Sequence, residues 1–216
     1  MPGLGLDTGE WRTVSRRLLR ERPALDVAAV APLPGYGRRP VPGEDLRPSV
    51  QGARLAEHLR GPSVLVGHSA SCQVVARAAA LAPDRVGALV LVGPTTDPAA
   101  ASWPRLAQRW LRTAVWERPG QVPLLARSYT RTGLGWMRRT MEAARHEDIR
   151  DDLRAVRCPV LVVRGRHDRI CPERWAHELV DLSPAGSRAV TLRRGGHMVP
   201  LTEGAAVASA VSGLLT

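Results

Sequence analysis

The 216-residue chain contains no lysine, no phenylalanine and no asparagine, so all 31 of its basic residues are arginine. The three missing residues have AT-rich codons, whereas Ala, Arg, Gly and Pro have GC-rich ones. The formal net charge of +11 therefore reads as coding bias before it reads as a partner signal. The arginines form no long block with interleaved aromatics, so the usual footprint of a nucleic-acid surface is missing. No apolar run reaches the ~18 residues that a membrane span requires. The opening Met1-Pro2-Gly3-Leu4-Gly5-Leu6-Asp7 lacks the basic-then-apolar order of a signal peptide. The expectation is a cytoplasmic protein with neither nucleic acid nor membrane as partner. The three cysteines, Cys72, Cys158 and Cys171, are odd in number and show no CxxC or zinc spacing. They read as reduced, buried thiols, and no metal site is expected. There is no P-loop and no G-x-G-x-x-G, so no nucleotide or flavin cofactor is expected either. No internal repeat or low-complexity tract occurs.

What is present is ample apolar material, 44% of residues, in a length suited to one domain or one domain with a small insertion. Five short Val/Leu/Ala runs end in Gly or Pro turns: residues 26–31 (DVAAVA), 63–67 (SVLVG), 86–93 (VGALVLVG), 159–165 (PVLVVRG) and 188–192 (RAVTL). They are continuous rather than alternating, as in strands covered on both faces. Helical patterns lie between and around them, at residues 11–20, 72–81, 175–182 and 205–215. This alternation predicts a mostly parallel α/β sheet of about five strands with flanking helices. Residues 98–157 break the alternation. They contain no strand pattern and read as three or four helices punctuated by Pro119-Gly120, Pro123 and Gly133. This segment holds 12 Arg against 6 acids, and four of the six tryptophans. It reads as a helical insertion, dividing the chain into residues 1–97, 98–157 and 158–216.

The strongest local signal is Val64-Leu65-Val66-Gly67-His68-Ser69-Ala70-Ser71. An apolar strand runs into a tight turn with Ser69 at its tip, then into an Ala-rich helix. Small residues two positions either side of Ser69 let backbone and helix approach closely, and Gly67 and Ser71 supply them. Such a turn presents the hydroxyl at the top of a sheet and aims the next backbone N–H at a substrate carbonyl. The helix N-terminus adds partial positive charge where an oxyanion forms. Serine at this place also serves as a plain helix N-cap, so its partners decide between the two roles. They follow in the order Ser, Asp, His. The strand at 159–165 delivers Asp168, and the Gly195-Gly196 loop after the last strand delivers His197. His197 can take and return the Ser69 proton while Asp168 fixes its tautomer. Asp97, after the 86–93 strand, is the reserve acid. His68 and His167 read as structural.

At these residues the chain resembles the α/β-hydrolase family, over nearly all of its length. Leu81-Ala82-Pro83-Asp84-Arg85-Val86 looks like the helix-to-strand passage after the family's nucleophile. Pro34-Gly35-Tyr36-Gly37 looks like its turn after an earlier strand. The resemblance implies that Ser69 is the nucleophile, Asp168 the acid and His197 the base, with the N–H of Ala70 as one oxyanion donor. Pro2-Gly3-Leu4-Gly5 resembles the family's other oxyanion loop, which makes the Leu4 N–H the second donor. Residues 98–157 fall where the family carries a cap over the site. Trp103, Trp110, Tyr129 and Trp136 are the candidate substrate-pocket residues, and a Trp-rich cap favours an apolar or aromatic acyl group.

Two departures bear on these expectations. Ser71 stands where the elbow's last glycine is usual, and a slight helix shift is expected. The oxyanion loop begins at residue 2, whereas in the family three strands precede it. The expectation is an N-terminally truncated sequence, with a gap between the strands at 26–31 and 63–67. The implied activity is hydrolysis of a small carboxylic ester through an acyl-enzyme. A serine argues against dehalogenase and epoxide-hydrolase chemistry. Thioesterase, carbon–carbon bond hydrolase, aminopeptidase and cofactor-free perhydrolase activities stay open, as does a non-catalytic ligand-binding role. The expected partner is a small-molecule substrate; the sequence gives no oligomeric state.

Overall fold

The computed structural model describes residues 1–25 and 30–215. In chain order, α1 (Arg12–Glu21) is followed by two short strands, β1 (Leu33–Pro34) and β2 (Gly37–Arg38), then α2 (Pro48–His58). The main sheet comprises β3 (Ser63–His68), β4 (Val86–Val92), β5 (Val160–Gly165) and β6 (Arg188–Leu192). These strands lie in the order β3-β4-β5-β6, and every pairing is parallel. Four of the five expected strands are therefore present, in one sheet. The expected strand at 26–31 falls largely on residues 26–29, outside the described residues.

The continuous apolar runs form strands because both sheet faces are covered. Leu89, Leu91, Val160 and Val162 face one core cluster, and Val90, Val92, Leu161 and Val163 face the other. Successive side chains thus enter opposite cores, with the period of two that a pleated strand imposes. On the first face lie α3 (Ser71–Leu81) and α8 (Glu173–Asp181), through Val75, Ala76, Trp175 and Leu179. On the second lie α1 and α10 (Gly204–Ser212), through Val14, Leu18, Val207 and Val211. Full burial of each Val or Leu among them is worth about 1.5–3 kcal/mol. The short α9 (Val199–Thr202) precedes α10.

Residues 98–157 lie between β4 and β5 and form α4 (Trp103–Ala114), α5 (Val122–Thr132), α6 (Leu134–Ala144) and α7 (Ile149–Ala155). Pro104 and Pro123 sit in the first turns of α4 and α5, where a missing N–H costs nothing. Pro123 therefore starts a helix rather than interrupting one. Gly133 separates α5 from α6 with φ +87°, a conformation that glycine adopts without strain. The last helix behaves differently from its neighbours. Ile149 and Leu153 of α7 are buried in the first core cluster, so α7 packs with the sheet layers although it lies within the predicted insertion.

Among the described residues, β3 pairs only with β4. A groove of about 630 Å³ lies beside β3, lined by Val64, Val66, Trp11, Val30 and Leu55 among others. Because all four main strands run the same way, their C-terminal ends emerge together. In such sheets that end is where ligands bind.

Candidate active site

Ser69 follows directly on β3 and has φ +58°, a left-handed conformation that costs a non-glycine residue about 1–3 kcal/mol. The surroundings enforce it. The Ser69 N–H donates to Val92 O at 2.9 Å, tying the turn to the neighbouring strand. Gly67 has no room for a side chain: a Cβ would lie 2.6 Å from Val75 Cγ2 and 3.0 Å from Cys72 Cα. Ser71 is fully buried, and its Oγ accepts the His68 N–H at 2.9 Å while facing the carbonyls of His68 at 2.9 Å and Met1 at 3.3 Å. The hydroxyl that replaces glycine here is thus a fastener of the turn, not merely a tolerated small group. Ala70 is the N-cap of α3 and the cap makes no side-chain hydrogen bond, so Ser69 is not spent on capping.

The Ser69 hydroxyl meets His197 instead. His197 Nε2 lies 2.9 Å from Ser69 Oγ, and His197 Nδ1 lies 2.8 Å from Asp168 Oδ2. A carboxylate oxygen beside Nδ1 places the hydrogen there and leaves Nε2 to accept the serine O–H. The second carboxylate oxygen, Oδ1, accepts the N–H groups of Ile170 at 2.9 Å and Cys171 at 3.0 Å. Asp168 is fully buried and His197 nearly so. Burial pushes the Asp168 carboxyl up, but the His197 charge and hydrogen bond, with the two backbone N–H groups, hold it below its ordinary value. Burial likewise opposes the charged form of His197, yet the Asp168 charge and hydrogen bond raise it, with smaller help from the carboxylates of Glu117 and Glu10.

Two side chains that the motifs did not single out hold this arrangement. The buried Arg164 guanidinium donates to Cys171 O at 2.8 Å and Asp168 O at 3.0 Å, clamping the loop that carries the acid. The Glu117 carboxylate accepts the backbone N–H groups of His197 at 2.5 Å and Met198 at 3.0 Å. Gly165 packs directly on the Gly195 and Gly196 carbonyls, with no space for a Cβ. The glycine-rich loop is therefore gripped from two sides rather than left free to swing.

The other expected residues divide. Leu4, Trp103, Trp110 and Tyr129 line one apolar cavity of about 220 Å³ together with Ser69 and His197. The N–H groups of Leu4 and Ala70 donate to no other group among the described residues. The turn at 34–37 supports the Leu4 loop, since Gly5 N donates to Gly35 O at 3.0 Å. Trp136 does not line the cavity; its ring lies under the Arg139 guanidinium, 5.1 Å from centroid to Cζ. The tryptophan content of residues 98–157 groups it with Trp103 and Trp110, but α6 presents Met137 and Met141 to the cavity instead. Asp97 is buried against Arg109 and Arg174 and does not reach His197. His167 stacks on Trp116 with ring centroids 3.8 Å apart, and His68 lies buried beneath the His197 loop. A second cavity of about 270 Å³ shares Trp110, Ile170, His197 and Met198 with the first.

A model of the alpha/beta hydrolase family matches residues 1–210. The chain belongs to the α/β-hydrolase family. No curated protein matches it. Among solved structures, an esterase (EaEST) from Exiguobacterium antarcticum superposes with a TM-score of 0.75 at 18% identity, covering 100% of this chain and 90% of the esterase. A hydrolase from Pseudomonas aeruginosa PA01 gives 0.72 at 23% identity, over 99% and 87% of the two chains. An enol-lactonase from Burkholderia xenovorans LB400 gives 0.70 at 20%, over 99% and 88%. At these identities the likeness is one of fold, and it extends over essentially the whole α/β-hydrolase chain. Among its described residues no helix is long and apolar enough to cross a membrane, and no group of three His, Cys, Asp or Glu is placed to hold a metal ion.

Proposed function

We propose that this α/β hydrolase is a serine hydrolase that cleaves a small, apolar or aromatic carboxylic ester through an acyl-enzyme. The observation that carries the reading is the continuous hydrogen-bonded chain Ser69–His197–Asp168, open to an apolar cavity at its serine end. Ser69 Oγ attacks the ester carbonyl carbon as His197 Nε2 takes its proton. The carbonyl oxygen becomes an oxyanion facing the N–H groups of Leu4 and Ala70. The tetrahedral species collapses with cleavage of the carbon–oxygen bond, and His197 returns the proton to the departing alkoxide. Water then attacks the acyl-serine with His197 again as base, releasing the acid and restoring Ser69. Asp168 stabilises the imidazolium in both halves.

The polarity of the site supports this choice. The cavity wall is dominated by Leu, Met, Trp and Ile side chains, with Thr95 Oγ1 as a buried hydroxyl that has no partner among the described residues. A wall of this kind gains from an apolar acyl group and offers little to a charged one. His197 borders both cavities, which suits a substrate with an acyl part on one side and an alcohol part on the other. The solved neighbours named as an esterase and an enol-lactonase support an ester-type bond. Helices α4, α5 and α6 act as the cap that shapes the pocket, while α7 packs with the sheet layers.

The test is hydrolysis of short p-nitrophenyl esters by the wild type and Ser69→Ala. Loss of a nucleophile that works through a positioned base should lower kcat by at least about 10³-fold. Equal turnover by the variant removes the reading. A matched panel of ester, thioester and amide then separates esterase from thioesterase and aminopeptidase activity.

A further inference from the structure

Behind the serine and its histidine lies another carboxylate next to an imidazole. Glu10 sits in the 3-10 turn Thr8–Trp11 and His68 ends β3, and both side chains are shut off from solvent. Glu10 Oε1 meets His68 Nδ1, and Glu10 Oε2 accepts the Gly3 N–H at 2.7 Å. On its far side, His68 Nε2 lies 3.0 Å from the backbone oxygen of His197. The two imidazole rings are 5.0 Å apart, centroid to centroid. Glycine at position 3 is what permits this approach, because a Cβ there would lie 2.7 Å from His68 Nδ1.

The hydrogens can be placed from the partners alone. A backbone carbonyl only accepts, so His68 Nε2 carries a hydrogen. Nδ1 faces a carboxylate oxygen, so a second hydrogen lies between Nδ1 and Oε1. Counted together, the two side chains are electrically neutral. That neutrality fits their complete burial, where an unpaired charge is strongly disfavoured. One end of this unit holds Gly3, next to Leu4 in the loop facing Ser69. The other holds the carbonyl of the residue that carries the base.

We propose that Glu10 and His68 form a second carboxylate–imidazole pair that positions the Leu4 loop and the His197 loop relative to each other. Its kinetic consequence rests on the acyl-enzyme reading above; its hydrogen placement does not. The pair touches no reacting atom, so both are positioning residues. Glu10→Gln discriminates bonding from charge. The amide oxygen can accept from Gly3, and the amide N–H can donate to Nδ1, leaving Nε2–H on the His197 carbonyl. Glu10→Ala breaks the pair and frees Gly3.

The experiment measures p-nitrophenyl ester kinetics for the wild type, Glu10→Gln and Glu10→Ala, together with the ¹⁵N spectrum of the His68 ring at neutral pH, assigned with His68→Gln. Misplaced catalytic groups cost up to about 10²-fold. Glu10→Ala should lose about 10- to 100-fold in kcat with KM within about threefold. Glu10→Gln should keep kcat within about fivefold of wild type, and the spectrum should show hydrogen on His68 Nε2. The proposal is overturned by full kcat in Glu10→Ala, by a Glu10→Gln loss as large as that of Glu10→Ala, or by an Nε2 without hydrogen. If Glu10→Ala does not fold, a Glu10→Gln kcat more than about fivefold below wild type, or that Nε2, overturns it. Absence of Ser69-dependent turnover in the wild type defeats the acyl-enzyme reading instead, and the ring spectrum still decides the pair.

Discussion

The Glu117 carboxylate accepts the backbone N–H of His197 at 2.5 Å. This one contact joins the segment after α4 to the loop that carries the imidazole. The same Oε1 accepts the Met198 N–H at 3.0 Å, while Oε2 receives Gln121 Nε2 at 2.9 Å. Glu117→Ala leaves two backbone donors without their acceptor and loosens a loop whose imidazole must stay within hydrogen-bond reach of Ser69. The expected outcome is a kcat lowered by about 10- to 100-fold with a smaller change in KM. Glu117→Gln keeps an acceptor oxygen and should fall between wild type and Glu117→Ala. Steady-state kinetics on a p-nitrophenyl ester checks this, and unchanged kcat in Glu117→Ala would show that the loop holds itself.

The order of strand, turn and helix around Ser69 is legible in the sequence itself. An apolar strand, a serine in a tight turn and an Ala-rich helix can pack in few ways, and Gly67 marks the close approach directly. Asp168 and His197 were legible because each follows a strand in the expected order. Glu117 was not. It sits between Arg112 and Arg118 in the turn after α4, and nothing local separates a solvated acid from one that reaches across to a distant loop. Arg164 is hidden for a related reason, since a guanidinium near the end of an apolar run shows nothing of the carbonyls of Cys171 and Asp168 that it holds. Trp136 went wrong the other way. Aromatic content located the helices near the cavity, but which face of α6 turns inward is set by packing against the neighbouring elements, and Met137 takes that place.

The pH dependence follows from His197. The base must be neutral to accept the Ser69 proton. Burial lowers its affinity for a proton, but the Asp168 charge and hydrogen bond outweigh this and hold it above the ordinary imidazole value. The rising limb of kcat/KM should therefore lie above about pH 6.5, with full activity on the alkaline side. Asp168→Asn removes the charge that raises the base, so any surviving activity should have its rising limb at lower pH. The rate itself should drop by about 10³–10⁴-fold, because an amide no longer enforces the productive tautomer. Full pH profiles of both proteins make the comparison.

Asp97 offers the complementary control. Its buried Oδ2 binds Arg109 Nη1 at 2.7 Å and also meets Arg174, while Oδ1 accepts the Ala99 N–H at 2.9 Å. Its work is to join the start of the insertion to α4 and α8. Asp97→Ala removes the carboxylate from the mostly buried Arg109 and should cost about 1–3 kcal/mol of folding stability in a denaturant titration. The pH at which kcat/KM rises should not move. A limb displaced as in Asp168→Asn would make Asp97, rather than Asp168, the partner of the imidazole.

Trp110 is shared by the two cavities that meet at His197, and its ring is about half exposed, at 49%. It is the side chain best placed to set how large a group fits beside Ser69. Trp110→Ala removes that wall and joins the spaces of about 220 and 270 Å³. Preference should then shift toward longer chains, since each methylene admitted to an apolar pocket is worth about 1–3 kcal/mol in kcat/KM. The measurement is kcat/KM across acetate, butyrate, hexanoate and octanoate esters. Trp136→Ala serves as the partner experiment. Its ring stacks under Arg139 outside the cavity, so the ratio between long and short esters should match wild type. A ratio changed equally by both substitutions would mean that α6, and not Trp110, forms the limiting wall.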